Sequence, residues 1–124
     1  MKAIFIILIA SGIGGVARYL MQSWIFRLYP FTFPLGTFIV NAAGCFLIGL
    51  FYALSEKGDM ITPEWRLALT AGFCGGFTTF STFAFENMNL LRTGDYIYFA
   101  LYTTGSVVLG ITAVYLGIIL IKSL

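Results

Sequence analysis

The chain has 124 residues, enough for one domain, of which 60% are hydrophobic and only 10% charged, against roughly 45–50% and about 25% in soluble domains. A soluble domain of this size could not bury so much apolar surface, so composition assigns the chain to a membrane. A net charge of +2 and the lack of histidine exclude an electrostatic nucleic-acid binder, while Cys45 and Cys74 lack the paired spacing of a zinc or redox site and read as buried thiols.

Four segments reach the roughly 20 apolar residues that a spanning helix needs. The first covers about Ala3–Met21. It reads as a mature span rather than a cleaved signal peptide, because the apolar run continues past Gly15 and the rest of the chain is equally apolar. Residues 22–34 carry Trp24, Arg27, Tyr29, Pro30 and Pro34 and read as an interfacial turn with aromatic anchors. The second span is about Leu35–Leu54, followed by a water-facing loop at residues 55–65. The third covers about Leu67–Leu91, and a tight turn at residues 92–95 leads to the fourth, about Tyr96–Ile121. The expected fold class is an all-α membrane protein, with residues 1–124 forming a single four-helix transmembrane domain.

An even number of spans puts both termini on one side, with Lys2, Lys57, Arg66 and Lys122; Arg18, Arg27 and Arg92 fall on the other. Four against three is no excess by which the positive-inside rule could fix orientation. Insertion both ways, giving an antiparallel homodimer, and a single weakly biased orientation are equally compatible with this count. Gly72 and Gly76 have the small-xxx-small spacing of close helix packing in lipid, serving the bundle interior, an oligomer interface, or both.

Polar groups at membrane depth are costly and mark a path or a packing contact. In the second span Thr37, Asn41 and Cys45 recur every four residues and share a helix face. Asn41 must find hydrogen-bond partners there, either across helices or along a path. In the third span the run GFCGGFTTFSTF, residues 72–83, sets Gly75 and Gly76 before Thr78, Thr79, Ser81 and Thr82. A glycine pair weakens a helix, and hydroxyls bend it further. A break is therefore expected near Gly75–Thr79, of the kind that serves binding in transporters. Phe77, Phe80 and Phe83 recur every three residues. In the fourth span Tyr102 and Ser106 share a face. Arg18 and Glu86 lie near span ends, either snorkelling or standing in a water-filled vestibule. No ring of acidic residues crosses mid-depth, whereas amide and hydroxyl donors do, and phenyl edges are positive; this favours an anion without naming it.

These residues resemble a known family. Gly14-Gly15-Val-Ala-Arg18-Tyr19, Gly36-Thr37-Phe-Ile-Val-Asn41-Ala-Ala-Gly44 and Gly75-Gly76-Phe-Thr78-Thr79-Phe80-Ser81-Thr82-Phe83 look like the signatures of the Fluc (CrcB) fluoride channels, and the likeness covers essentially the whole chain. It implies a dual-topology homodimer with two antiparallel pores, exporting fluoride passively across a bacterial inner membrane. It assigns Phe80 and Phe83 to ring-edge contacts and Asn41 to a pore donor. Thr37, Ser81, Thr82, Tyr102 and Ser106 line the polar side, with Arg18 and Glu86 in a vestibule. It further implies a structural sodium ion at the dimer centre, held by backbone carbonyls of Gly75 and Thr78, and it implies no protein partner beyond a second copy. A proton-coupled exporter would share the size and layout but needs an intramembrane carboxylate, for which Glu86 is the candidate. A non-transporting membrane subunit would use the glycines and phenylalanines for packing alone. A membrane enzyme is the least supported reading, for want of a base near either thiol.

Overall fold

The computed structural model describes residues 1–58 and 60–124; Asp59 of the expected 55–65 loop lies outside the described residues. Helix α1 runs Lys2–Leu28 and α2 runs Leu35–Glu56. The third span joins α3 (Pro63–Leu67), a π-helical stretch (Ala68–Cys74), α4 (Gly75–Phe77) and α5 (Phe80–Arg92). Helix α6 runs Tyr96–Lys122. Among the described residues there is no strand, and four helical segments are long and apolar enough to cross a membrane: Lys2–Leu28, Leu35–Glu56, Pro63–Arg92 and Tyr96–Lys122. At about 1.5 Å per residue, the 27 residues of α1 reach about 40 Å.

Helix ends follow local chemistry. The first span is longer than expected. Residues 22–28 contain neither Gly nor Pro, so α1 continues to Leu28 and stops only before Pro30. Residues 22–28 are thus helix rather than turn, which places Gln22 on the α1 surface that faces α2. The 55–65 loop shortens correspondingly, because α2 continues to Glu56. At its far end Thr62 caps α3, its side chain accepting from the Trp65 amide, with Pro63 in the first helical turn, where a missing N–H costs nothing. The turn at residues 92–95 is as read from sequence. Gly94 takes φ +79° and the Asp95 amide donates to the Leu90 carbonyl at 2.8 Å, closing α5 with a left-handed residue that glycine adopts without strain.

In lipid, helices gain nothing from leaving water, so small residues that permit close van der Waals contact hold the bundle. Two seams result. Between α2 and α6, Gly49 lies against the Val114 backbone and Gly117 against Phe46 and Leu50. Between α1 and the third span, Gly14 faces the Phe73 carbonyl, Gly72 faces Ala10 and Gly76 faces the Ser11 carbonyl. The Gly72/Gly76 spacing therefore serves packing inside the bundle. Outward faces are apolar, with Leu8, Ile9, Val108 and Ile111 all exposed, as contact with acyl chains requires.

The third span is interrupted, but not by its glycine pair. Gly75 is helical at φ −61°, ψ −38°, and the chain extends only at Thr78 (φ −90°, ψ 158°) and Thr79 (φ −150°, ψ 118°). A glycine costs a helix about 1 kcal/mol, which the close approach of Gly76 to α1 offsets. The π-helical stretch before it, one residue per turn wider than an α-helix, was not expected from the sequence.

Candidate functional site

Interrupting a helix frees backbone groups, and each must be met by something. At Thr78–Thr79 most of these groups find partners in side chains and the preceding turn. The Thr79 amide, which a continuous helix would give to the Gly75 carbonyl, donates to Asn41 Oδ1 at 2.8 Å, while Asn41 Nδ2 donates to the Thr79 carbonyl at 3.0 Å. One asparagine on α2 thus clamps the extended residue from both sides. Arg18 Nε donates to the Gly76 carbonyl at 3.1 Å, tying α1 to the same interruption. The Thr82 amide donates to Thr79 Oγ1 at 3.2 Å, so Thr79 caps α5. The Thr79 hydroxyl donates to Thr82 Oγ1 at 3.1 Å, and Thr78 Oγ1 donates back to the Cys74 carbonyl. The amides that would meet the Gly75 and Thr78 carbonyls are thereby engaged elsewhere. Both carbonyls stand ready for another donor or a cation, and Gly75 is exposed.

Beyond the interruption α5 separates two cavities. The smaller, about 510 Å³, is lined by Asn41, Gly75, Thr78, Phe80, Phe83 and Ser106, among others. Phe80 and Phe83 stand with ring centroids 5.8 Å apart and planes tilted by 44°, and Phe80 is 78% exposed, so its ring projects from the chain. The Ser106 hydroxyl is buried and has no hydrogen-bond partner. An unmet buried hydroxyl costs on the order of 1–3 kcal/mol, which is tolerable where a ligand supplies the missing bond.

The larger cavity, about 740 Å³, is lined by Gln22, Thr37, Thr82 and Glu86, among others. Here one side chain from each span joins a hydrogen-bonded chain. Gln22 Nε2 on α1 donates to Thr37 Oγ1 on α2 at 3.0 Å, and Thr37 donates to Glu86 Oε2 on α5 at 3.0 Å. Tyr102 on α6 donates to Glu86 Oε1 at 2.8 Å. Tyr102 is fully buried, held edge-on by Phe33 at 5.4 Å and tilted against Phe83 at 4.9 Å. Phe83 lines the smaller cavity and Glu86 the larger, so the buried Tyr102, in contact with both, links the two sites through the protein. One residue further along each of α5 and α6, Thr103 Oγ1 donates to Asn87 Oδ1 at 3.2 Å, which meets the oxygen of a buried amide away from either cavity.

The residues singled out in the sequence therefore fall into three sets. Asn41, Phe80, Phe83 and Ser106 share the smaller cavity, together with Gly75 and Thr78. Thr37, Thr82 and Glu86 line the larger one, with the buried Tyr102 bonded to Glu86 behind it. Ser81 is exposed at the start of α5, and Arg18 turns to the backbone of α4. Gln22 was not anticipated, and Thr79, read from the sequence as one of the hydroxyls at the break, was not expected to cap α5. The capping role of Thr79 could have been found from its place three before Thr82, the spacing of a capping hydroxyl, and Gln22 as the one amide side chain in α1.

Sequence comparison adds an independent line. The profile of the family described as CrcB-like protein, Camphor Resistance (CrcB), matches residues 5–118. A protein of Phocaeicola vulgatus named fluoride-specific ion channel FluC is 51% identical over 118 residues, 95% of this chain and 97% of its own. A protein of Flavobacterium psychrophilum with the same name is 44% identical over 124 residues, the whole of both chains. One of Leptospira interrogans, again so named, is 42% identical over 122 residues, 98% of this chain and 96% of its own.

Proposed function

This chain belongs to the CrcB family, and from that premise we propose that it is a fluoride-specific membrane channel, not an enzyme, that lets fluoride leave the cytoplasm down its gradient. Fluoride is small and tightly hydrated, so a path must replace its water with placed donors. The observation that carries this reading is the Ser106 hydroxyl, buried without a partner in the same cavity as Asn41, Phe80 and Phe83. Asn41 retains one amide hydrogen beyond the one it gives to Thr79. Phe80 and Phe83 would offer the positive edges of their rings, and Ser81 and Thr82 further hydroxyls at the start of α5. Beyond Phe83, Thr37 and Tyr102 would receive or release the ion at the Glu86 vestibule. Arg18, engaged with Gly76, would add positive potential from behind the interruption.

In this reading the functional unit is an antiparallel homodimer with two pores, embedded in a bacterial inner membrane. Two features favour it. The positive charges are almost evenly divided between the two sides, and Phe80, at the head of the pathway, projects from the single chain and needs a second surface to complete a conduit. The carbonyls of Gly75 and Thr78, left without helical donors, would hold a sodium ion where two such interruptions meet. Carbonyl oxygens suit a hard cation, and among the described residues no cluster of His, Cys, Asp or Glu offers an alternative metal site. When bound, such an ion would fix the two interruptions against each other. Depleting sodium from reconstituted protein is expected to lower fluoride efflux, with recovery on adding sodium chloride but not N-methylglucamine chloride.

The deciding experiment is efflux from proteoliposomes followed with a fluoride electrode, with chloride as the comparison ion. Fluoride is expected to leave and chloride to stay. Phe80→Ile, which keeps an apolar side chain but removes the ring edge, is expected to slow fluoride efflux at least tenfold, a loss of about 1.4 kcal/mol. Conduction at the unmutated rate would show that ring edges play no part at that position.

A further inference from the structure

The geometry points to Gln22 as a positioning residue that holds the Glu86 carboxylate against the wall of the larger cavity and out of the path of an arriving anion. The inference rests on the reading of this chain as a fluoride channel and names a control within that pathway.

Hydrogen-bond polarity makes the argument. A carboxylate accepts only, and a threonine hydroxyl has a single hydrogen to give. Thr37, buried to 2% exposure, gives that hydrogen to Glu86 Oε2. Its oxygen can then only accept from Gln22, which must present its N–H, as Nε2 does at 3.0 Å. The Gln22 amide thus fixes which way the Thr37 hydroxyl points. Without it, the hydroxyl would be free to turn to a backbone carbonyl of its own helix, as helical threonines commonly do. Glu86 would keep Tyr102 on Oε1 but lose the donor on Oε2.

The backbone is shaped for this contact. A Cβ on Gly36, the residue before Thr37, would stand 3.4 Å from both the Cα and the carbonyl oxygen of Gln22. That is ordinary van der Waals distance, so α2 already packs closely on α1 at the level of Gln22 and carries Thr37 into reach of its amide. Gln22, Thr37 and Glu86 all line the same cavity, so a carboxylate released from Thr37 has open volume to enter. There its charge would repel fluoride and lower the local anion concentration.

The test is fluoride efflux from proteoliposomes of the full chain, measured against fluoride concentration at low and high ionic strength. Gln22→Met keeps the unbranched shape and removes the donor. Its half-saturating fluoride concentration is expected to rise several-fold while the maximal rate holds, and the defect should shrink in high salt, where charge effects are screened. In a Glu86→Gln background, which carries no charge to release, adding Gln22→Met should change nothing. Thr37→Val, which removes the hydroxyl that Gln22 acts through, should show the same salt-screened rise in half-saturating fluoride concentration, on top of any fall in maximal rate from losing a hydroxyl of the pathway, and it serves as the test if Gln22→Met does not reconstitute. The proposal fails if Gln22→Met behaves as the unmutated protein, if its defect persists undiminished with Glu86→Gln, or if Thr37→Val lacks the concentration and salt dependence. An unmutated protein that releases no fluoride would overturn the channel reading itself, and this proposal with it. Normal release with an unaffected Gln22→Met overturns the proposal alone.

Discussion

Asn41→Leu is expected to abolish fluoride efflux while leaving a chain that still inserts and purifies. Leucine branches as asparagine does, with the same number of heavy atoms, so the shape of the side chain is largely kept. What disappears is the two-sided clamp on Thr79, whose amide and carbonyl both bond to the Asn41 side chain at 2.8 and 3.0 Å. Each stranded group costs about 1–3 kcal/mol. The two together amount to about 2–6 kcal/mol, a factor of roughly 30 or more at equilibrium. The backbone has an alternative that meets both groups, which is to rebuild the helix through Thr78 and Thr79. Doing so would rotate α5 relative to α4, carrying Phe80 and Phe83 off the cavity and closing the Gly75 carbonyl with a helical donor. Asn41→Asp tests the same clamp by charge. It keeps an acceptor for the Thr79 amide but sets a second oxygen against the Thr79 carbonyl, so it should also lose efflux. Rates at or near the unmutated value in both variants, with protein elution profiles unchanged, would show that the interruption holds itself open without Asn41.

How much of this could be read from the sequence differs from residue to residue. Asn41 was visible because an amide at membrane depth has few ways to be satisfied, and the third-span interruption was visible because glycines and hydroxyls crowd residues 75–82. The mechanism of the interruption was not. Glycine's low helix propensity suggested that Gly75 and Gly76 break the helix. In the fold they remain helical, and Gly76 supplies contact with α1 instead, because tertiary packing overrides a propensity of about 1 kcal/mol. The extended residues are the threonines: the amide and carbonyl of Thr79 are met by Asn41 on α2, 38 positions away, and the neighbouring Gly76 carbonyl by Arg18 on α1, 58 positions away. Such long-range partners leave no local periodicity. The same holds for Gln22. Nothing in residues 22–34 marks it as part of a chain through Thr37 and Glu86, and the length of α1 that brings it there became apparent only from the missing helix breaker before Pro30.

Gly76→Ala and Gly12→Ala make the same chemical change and are expected to shift stability in opposite directions. A Cβ on Gly76 would press on the Ser11 carbonyl oxygen, with the Ser11 carbonyl carbon and Cα each at 3.0 Å. These are backbone atoms of α1 and have no rotamer by which to step aside, so the helices must separate. Overpacking of this kind costs typically about 1–3 kcal/mol. The cost is compounded locally, since the carbonyl of Gly76 accepts from Arg18 Nε, and moving α1 outward stretches that bond. Separation at this level would also loosen the interruption, so efflux should fall together with thermal stability. A Cβ on Gly12 meets nothing within 4 Å, and alanine is the better helix former by up to about 1 kcal/mol. Gly12→Ala should therefore unfold at an equal or higher temperature in detergent and conduct normally. Loss of the folded form on heating, read by fluorescence-detected size exclusion, distinguishes the two. If Gly76→Ala survives heating as well as the unmutated protein, the α1–α4 seam is not the close contact that positions the interruption. If Gly12→Ala is the less stable of the pair, the face of α1 that carries Gly12 is itself packed against another surface in the assembled channel.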